Sequence, residues 1–270
     1  MDNLPIGVFD SGLGGLTAVK ELQHVMPHED IIYFGDTGRV PYGSRSKDTI
    51  LKYTRQDIAF LRRFHVKMVI AACGTVSSVA PSILNSLDIP ATGVLHPTAE
   101  AAARATKNGK IAVIGTTATI RSGSYQQELK AINPELSIFC QDCPLFVPLV
   151  ENGFVSDGEE ITRLTAERYL APLKKEHPDT LIMGCTHYPI ISHIIAQVMG
   201  EDVTLIDSGR ETALYAFHQL EKSGLLCEPN KTGSCHFHVS DHTEGFSNIA
   251  EIFLGRNVQA DVEHVEIEDF

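Results

Sequence analysis

An α/β fold with mainly parallel sheets is what this chain predicts, on three observations. Short, continuous, β-branched runs alternate with amphipathic stretches along most of its length. Two of those runs end in a cysteine followed by a helical segment. No Pro/Gly/Ser-rich linker or low-complexity tract breaks the alternation. Unbroken apolar runs suit strands buried on both faces, as in parallel sheets, and right-handed crossovers then join them.

The elements follow in order. IGVF (6–9) is the first strand, and Asp10-Ser11-Gly12-Leu13-Gly14-Gly15 turns it into the helical GLTAVKELQHVM (15–26). DIIYFG (30–35) is the second strand, followed by a glycine-rich loop over 35–44 and the helix TILKYTRQDIAFLRRF (49–64). MVIAA (68–72) runs into Cys73-Gly74-Thr75. After the helix over 96–108 come the strand KIAVIG (110–115) and the helices over 122–132 and 159–175. TLIMG (180–184) runs into Cys185-Thr186-His187, echoing the first cysteine turn, and VTLID (203–207) precedes the helix over 211–224. Each helical stretch repeats apolar residues at i, i+3 or i+4 with charges opposite. The end of the chain differs in texture: CHFHVSD (235–241) and VQADVEHVEI (258–267) alternate with period 2 around FSNIAEIFLG (246–255), which predicts edge strands and a closing helix.

Composition removes several functions. The 270 residues carry a net charge of −12, so phosphate backbones and anionic lipid surfaces are disfavoured partners: no nucleic acid and no membrane. No run approaches the ~20 apolar residues of a membrane span, and MDNLPIGVFD lacks a basic, apolar secretion signal, so the mature chain is expected to start near Met1. Six cysteines without such a signal fit a reducing compartment where thiols stay free.

Ligands of open α/β sheets sit beyond the carboxyl ends of strands, where both cysteine turns fall. One such cysteine alone reads as a buried structural thiol. Two with the same local grammar read as chemistry: a helix N-terminus lowers a thiol pKa from about 8.5 toward neutrality, Thr75 and Thr186 add hydroxyls, and His187 can hold or relay a proton. Paired thiols facing one another across a carbon suit cofactor-free racemisation or epimerisation, whereas a hydrolase would need one. The Asp10-Ser11 loop suits a small anion, or merely caps its helix. It also admits a dinucleotide reading, with Asp36 as ribose acid, although Thr17 stands where the third glycine of that fingerprint belongs. Cys140 and Cys143 have redox spacing without the usual surroundings. Cys227, Cys235, His236, His238 and His242 lack a zinc-ligand frame, so no metal is expected.

At FDSGLGGLTAVKEL, YFGDTGRVPYGSRS, VIAAC-x-T, GTTATIRSGSY, PLVENG, LIMGCTHYP, IDSG and FSNIAEIFLG the chain resembles the glutamate racemases, of the cofactor-independent aspartate/glutamate racemase family. The resemblance implies two similar α/β domains facing each other across an active-site cleft, the first over 1–97 plus 209–270 and the second over 98–208. It implies Cys73 and Cys185 as the proton-transfer residues, with Asp10, His187 and Glu151 as auxiliary acid/base groups. Asp10, Ser11, Tyr42, Gly43, Gly74, Thr75, Thr117, Thr186 and His187 then contact substrate through hydroxyls and backbone amides, with no fixed lysine or arginine paired to the thiolates. It further implies L- or D-glutamate as small-molecule substrate, no cofactor, a homodimer, a bacterial cytoplasm and D-glutamate supplied for peptidoglycan. One position departs: the family usually has asparagine where Gly74 stands, which leaves room for another acidic substrate such as aspartate or a hydantoin.

Overall fold

In the computed structural model, which describes residues 2–256, 258 and 261–270, two sheets hold every strand, and every strand pair is parallel. The start expected near Met1 and positions 259–260 of the last expected strand lie outside the described residues. The first sheet begins with β1 (Ile6–Asp10), α1 (Leu16–Val25), β2 (Ile31–Gly35), α2 (Lys47–Arg62) and β3 (Met68–Ala71). Short α3 (Gly74–Val79) and α4 (Pro81–Asn85) lead to β4 (Ala91–Gly93), and α5 (Leu95–Ala105) passes to the second sheet. There follow β5 (Lys110–Gly115), α6 (Thr117–Ser122), α7 (Ser124–Ile132), β6 (Ser137–Asp142), α8 (Phe146–Glu151), α9 (Glu160–Lys174), β7 (Thr180–Met183), α10 (Ser192–Met199) and β8 (Thr204–Asp207). From there α11 (Ser208–Ser223) returns the chain to β9 (Cys235–Val239), α12 (Thr243–Leu254) and β10 (Val262–His264).

The first sheet runs β10-β9-β2-β1-β3-β4 and the second β6-β5-β7-β8. Strands β1, β2, β3 and β7 are buried residue by residue, which explains their unbroken apolar runs. The echo in the sequence is an echo in topology: β2-β1-β3-β4 and β6-β5-β7-β8 are the same order, and in each the strand entering the cysteine turn is the third. In both, strand order reverses next to that strand, the place where open α/β sheets leave a crevice.

One expectation about strands is corrected. β9 is no edge strand, because it pairs with β2 on one side and β10 on the other; the period-2 alternation of CHFHVSD reflects His236 at the surface between buried neighbours. β4, only three residues long, and β6, half-exposed at the sheet edge, are strands with no unbroken apolar run to announce them.

Candidate active site

Both cysteine turns open onto one cavity of about 800 Å³, lined by Ser11 and Gly12 after β1, the loop 40–45, Cys73-Gly74-Thr75, residues 116–118, Glu151 and Gly184-Cys185-Thr186-His187. The carboxyl ends of the two sheets therefore supply its walls from both sides.

Asp10 ends β1 and is buried, accepting from the Gly12 N–H at 2.9 Å with one carboxylate oxygen and leaving the other without a partner. Burial raises its pKa, against the pull of His187. Cys73 caps the N-terminus of α3 and donates its S–H to Ser11 Oγ at 3.4 Å. Contrary to expectation, its pKa is not lowered. Burial, with the Asp10 carboxylate next, pushes the thiol up to about 12, because desolvation of a sulfur anion outweighs one short helix.

The other side is built differently. Cys185 Sγ lies 3.9 Å from His187 Nδ1, and His187 Nε2 lies 2.9 Å from Glu151 Oε1 at the end of α8. Burial disfavours charge on the ring, but Cys185 and Glu151 together more than offset it and raise the His187 pKa to about 10. The raised pKa favours the imidazolium, in which one ring nitrogen donates toward Glu151 and the other toward Cys185. The loop after β1 comes close enough to this pair that only glycine fits at Gly14: a Cβ there would lie 2.1 Å from Thr186 Oγ1 and 2.5 Å from His187 Nδ1.

The expected substrate hydroxyls are partly committed elsewhere. Tyr42 lines the cavity, yet its buried hydroxyl donates to Asp36 and lies 3.1 Å from Asp57 Oδ2, within a cluster completed by Arg39. Thr75 and Thr116 share a hydrogen bond at 3.2 Å, and Thr117 donates to Asp142 at 2.8 Å. Asp36, the candidate ribose acid, is fully buried, its oxygens taken by Arg39, Tyr42 and Ser240, so it faces no ligand. Gly74 packs against the backbone of Gly184, so the turn that would bear the family's amide meets the turn bearing Cys185. Thr116, Arg45 and Arg121 also line the wall; they stand in the stretches YFGDTGRVPYGSRS and GTTATIRSGSY, but nothing in a linear pattern says which way their side chains point.

The remaining candidates are dispersed. Cys140 sits in β6 and Cys143 beyond it, the latter's S–H toward the Gln141 carbonyl at 3.8 Å; the six cysteines are free. Cys227 donates to the His28 carbonyl at 3.0 Å, whereas His238 is packed among Phe60 and Phe64. Among the described residues no three histidine, cysteine or acidic side chains form a metal-holding group, and no helix is long and apolar enough to cross a membrane.

With this geometry the known proteins can be compared. A family model described as Asp/Glu/Hydantoin racemase matches residues 17–216. A glutamate racemase of Geobacter metallireducens is 44% identical over 97% of both chains, and one of Chlorobaculum tepidum is 46% identical over 97% of this chain and 96% of its own. Among solved structures, the glutamate racemase of Francisella tularensis in complex with D-glutamate superposes with a TM-score of 0.92 at 38% identity, covering both chains fully.

Proposed function

The chain belongs to the Asp/Glu/Hydantoin racemase family, and from that premise we propose that its cavity interconverts L- and D-glutamate by proton transfer between Cys73 and Cys185. The observation that carries this reading is a single cavity lined by two cysteines at equivalent strand ends, each with its own acid/base neighbour: Asp10 with Cys73, His187 and Glu151 with Cys185.

The Cα–H next to a carboxylate is a weak acid, so the base must be a desolvated anion and the charge that develops must meet preorganised donors. In one direction the sulfur beside the His187 imidazolium takes the Cα proton as a thiolate, and the C–H electron pair delocalises toward the α-carboxylate. The Cys73 thiol, kept protonated by burial, delivers its proton to the opposite face of the same carbon, which leaves Cys73 the thiolate and Cys185 the thiol; another turnover in this direction needs the Cys185 proton released to solvent and one proton returned from solvent to Cys73 through Asp10. In the reverse direction the roles exchange, Asp10 accepting the Cys73 proton to form that thiolate. The partnerless Asp10 oxygen is suited to this traffic. Ser11, Gly43, Gly74, Thr75, Thr186 and the backbone of Tyr42 would hold the carboxylates and amine, with Thr117 at the margin. The chemistry uses side chains only.

The same reading takes residues 1–97 with 209–270 as one domain and 98–208 as the other, supported by the matching strand orders. It also takes the protein as a homodimer in the bacterial cytoplasm, making D-glutamate for peptidoglycan, on the strength of the family resemblance.

The test is racemisation in deuterium oxide, followed by circular dichroism and mass spectrometry, over a panel of glutamate, aspartate and hydantoins. Glutamate should lose rotation and gain one deuterium at Cα, and Cys73→Ala and Cys185→Ala should each lower turnover by at least about 1,000-fold. Normal racemisation by either variant would overturn the mechanism, and preference for another acid would overturn the substrate.

A further inference from the structure

The charge balance of the cavity is opposite to that of the chain. The protein carries −12 overall, so at long range it repels an acidic amino acid. Yet the wall of the cavity includes Arg45, which follows the turn Tyr42–Ser44, and Arg121, in the last turn of α6. Both are exposed, and neither forms an ion pair among the described residues. The one glutamate in the lining, Glu151, is engaged by His187, and the buried Asp10 lies beneath, at the end of β1. The two arginines come from opposite sheets: Arg45 from the loop after β2, Arg121 from the helix after β5. Their free charges are therefore carried by both sides of one recess in an otherwise anionic surface.

We propose that Arg45 and Arg121 form a cationic capture site that draws an acidic amino acid against the net repulsion of the protein and favours a substrate with a second carboxylate. This rests on the racemase reading. Exposed guanidinium groups act here through their field, with little immobilisation cost, so the effect falls on encounter and binding while proton transfer deeper in the cavity is left alone. Screening removes such an effect: the Debye length shrinks from about 30 Å at 0.01 M salt to about 3 Å at 1 M.

The test compares wild-type protein, the Arg45→Gln/Arg121→Gln double variant and Arg168→Gln, an exposed charge change outside the cavity lining. Glutamate racemisation is followed from about 0.01 M to about 1 M salt. The double variant should lose about tenfold in kcat/KM at low salt, converge on the wild type within about twofold at high salt and keep its kcat. Arg168→Gln should follow the wild-type salt profile. A double variant whose kcat/KM runs parallel to the wild type at every salt concentration overturns the capture site and leaves the racemase reading standing. An equal loss in Arg168→Gln also overturns it, by assigning the effect to net charge. Absence of glutamate racemisation in the wild-type protein overturns the underlying reading instead.

Discussion

At Gly74 a single added carbon would matter, because a Cβ there would stand 2.6 Å from the carbonyl oxygen of Gly184, the residue before Cys185. Backbone cannot swing aside as a side-chain tip can, so Gly74→Ala must push apart the two turns that carry the thiols. Misplacing reacting groups by about 1 Å can cost about 100-fold in rate. We expect Gly74→Ala to lower kcat by about 10- to 100-fold and stability by about 1–3 kcal/mol, read from steady-state kinetics and urea unfolding; an alanine variant with wild-type kcat would show that the turns give freely. Gly74→Asn adds the same Cβ together with an amide, so activity above that of the alanine variant would measure what the amide returns. His187 offers a second test through linkage. Its folded pKa, about 10, lies above the ordinary 6.5, so the fold binds that proton more tightly than the unfolded chain does. The stabilisation is complete below about 6.5 and is lost as pH rises toward 10. The gap in Tm between wild type and His187→Asn should therefore narrow across that window, and parallel Tm curves would contradict a charged ring.

The segment after β2 shows how a loop can be held as firmly as a strand. Arg39 bridges Asp36 and Asp57 at 2.7 and 3.1 Å, bonds Gln56 at 2.6 Å and reaches Glu268 at 3.4 Å, while Ser240 donates to Asp36 at 2.7 Å. Tyr42 closes this buried cluster, so its hydroxyl serves the loop, and the loop in turn presents Gly43 and Arg45 to the cavity. Tyr42→Phe removes the hydroxyl that donates to the buried Asp36 carboxylate, which costs about 1–3 kcal/mol. We expect that loss in urea unfolding, together with a raised KM and a smaller change in kcat; an unchanged KM would mean that the loop keeps its place without the anchor. Such a cluster is illegible in a linear pattern because its members lie at positions 36, 39, 42, 56, 57, 240 and 268 and meet only through folding. What could be read, by contrast, was local. The runs of β1, β3 and β7 are apolar because they are buried on both faces, and Asp10, Cys73 and Cys185 were legible because each follows or ends such a run. The pKa of Cys73 was misjudged for the converse reason: a helix N-terminus is visible in sequence, whereas the depth of burial that opposes it is not.

Over the whole molecule, two sheets of matching order turn their carboxyl ends toward one cavity, and side-chain hydrogen bonds tie the two sides together. Thr17 donates to the Thr186 carbonyl at 3.0 Å, Thr75 and Thr116 share a bond at 3.2 Å, and Ser124 donates to the Ser78 carbonyl at 2.8 Å. Helices α5 and α11 carry the chain between the sheets. Loosening the seam leaves each sheet its own ladder while parting these bonds and some of the apolar core that both sheets share, with Ile6 and Val8 beside Ile114 and Met183 among its members. A ligand held by both walls would then act as the missing stitch. At about 100 times its Kd a ligand stabilises the bound form by about 2.7 kcal/mol, enough to slow exchange through ligand-free openings about 100-fold. Hydrogen exchange with saturating D-glutamate should therefore show joint protection of amides over 10–17 and 73–79 from the first sheet and over 116–122 and 184–191 from the second. The remote recess around Phe60, Phe64 and His238 should exchange as before. Protection confined to one sheet would mean that the ligand rests on a single wall, and a proton relay between thiols delivered from opposite sides would then have no common carbon on which to act.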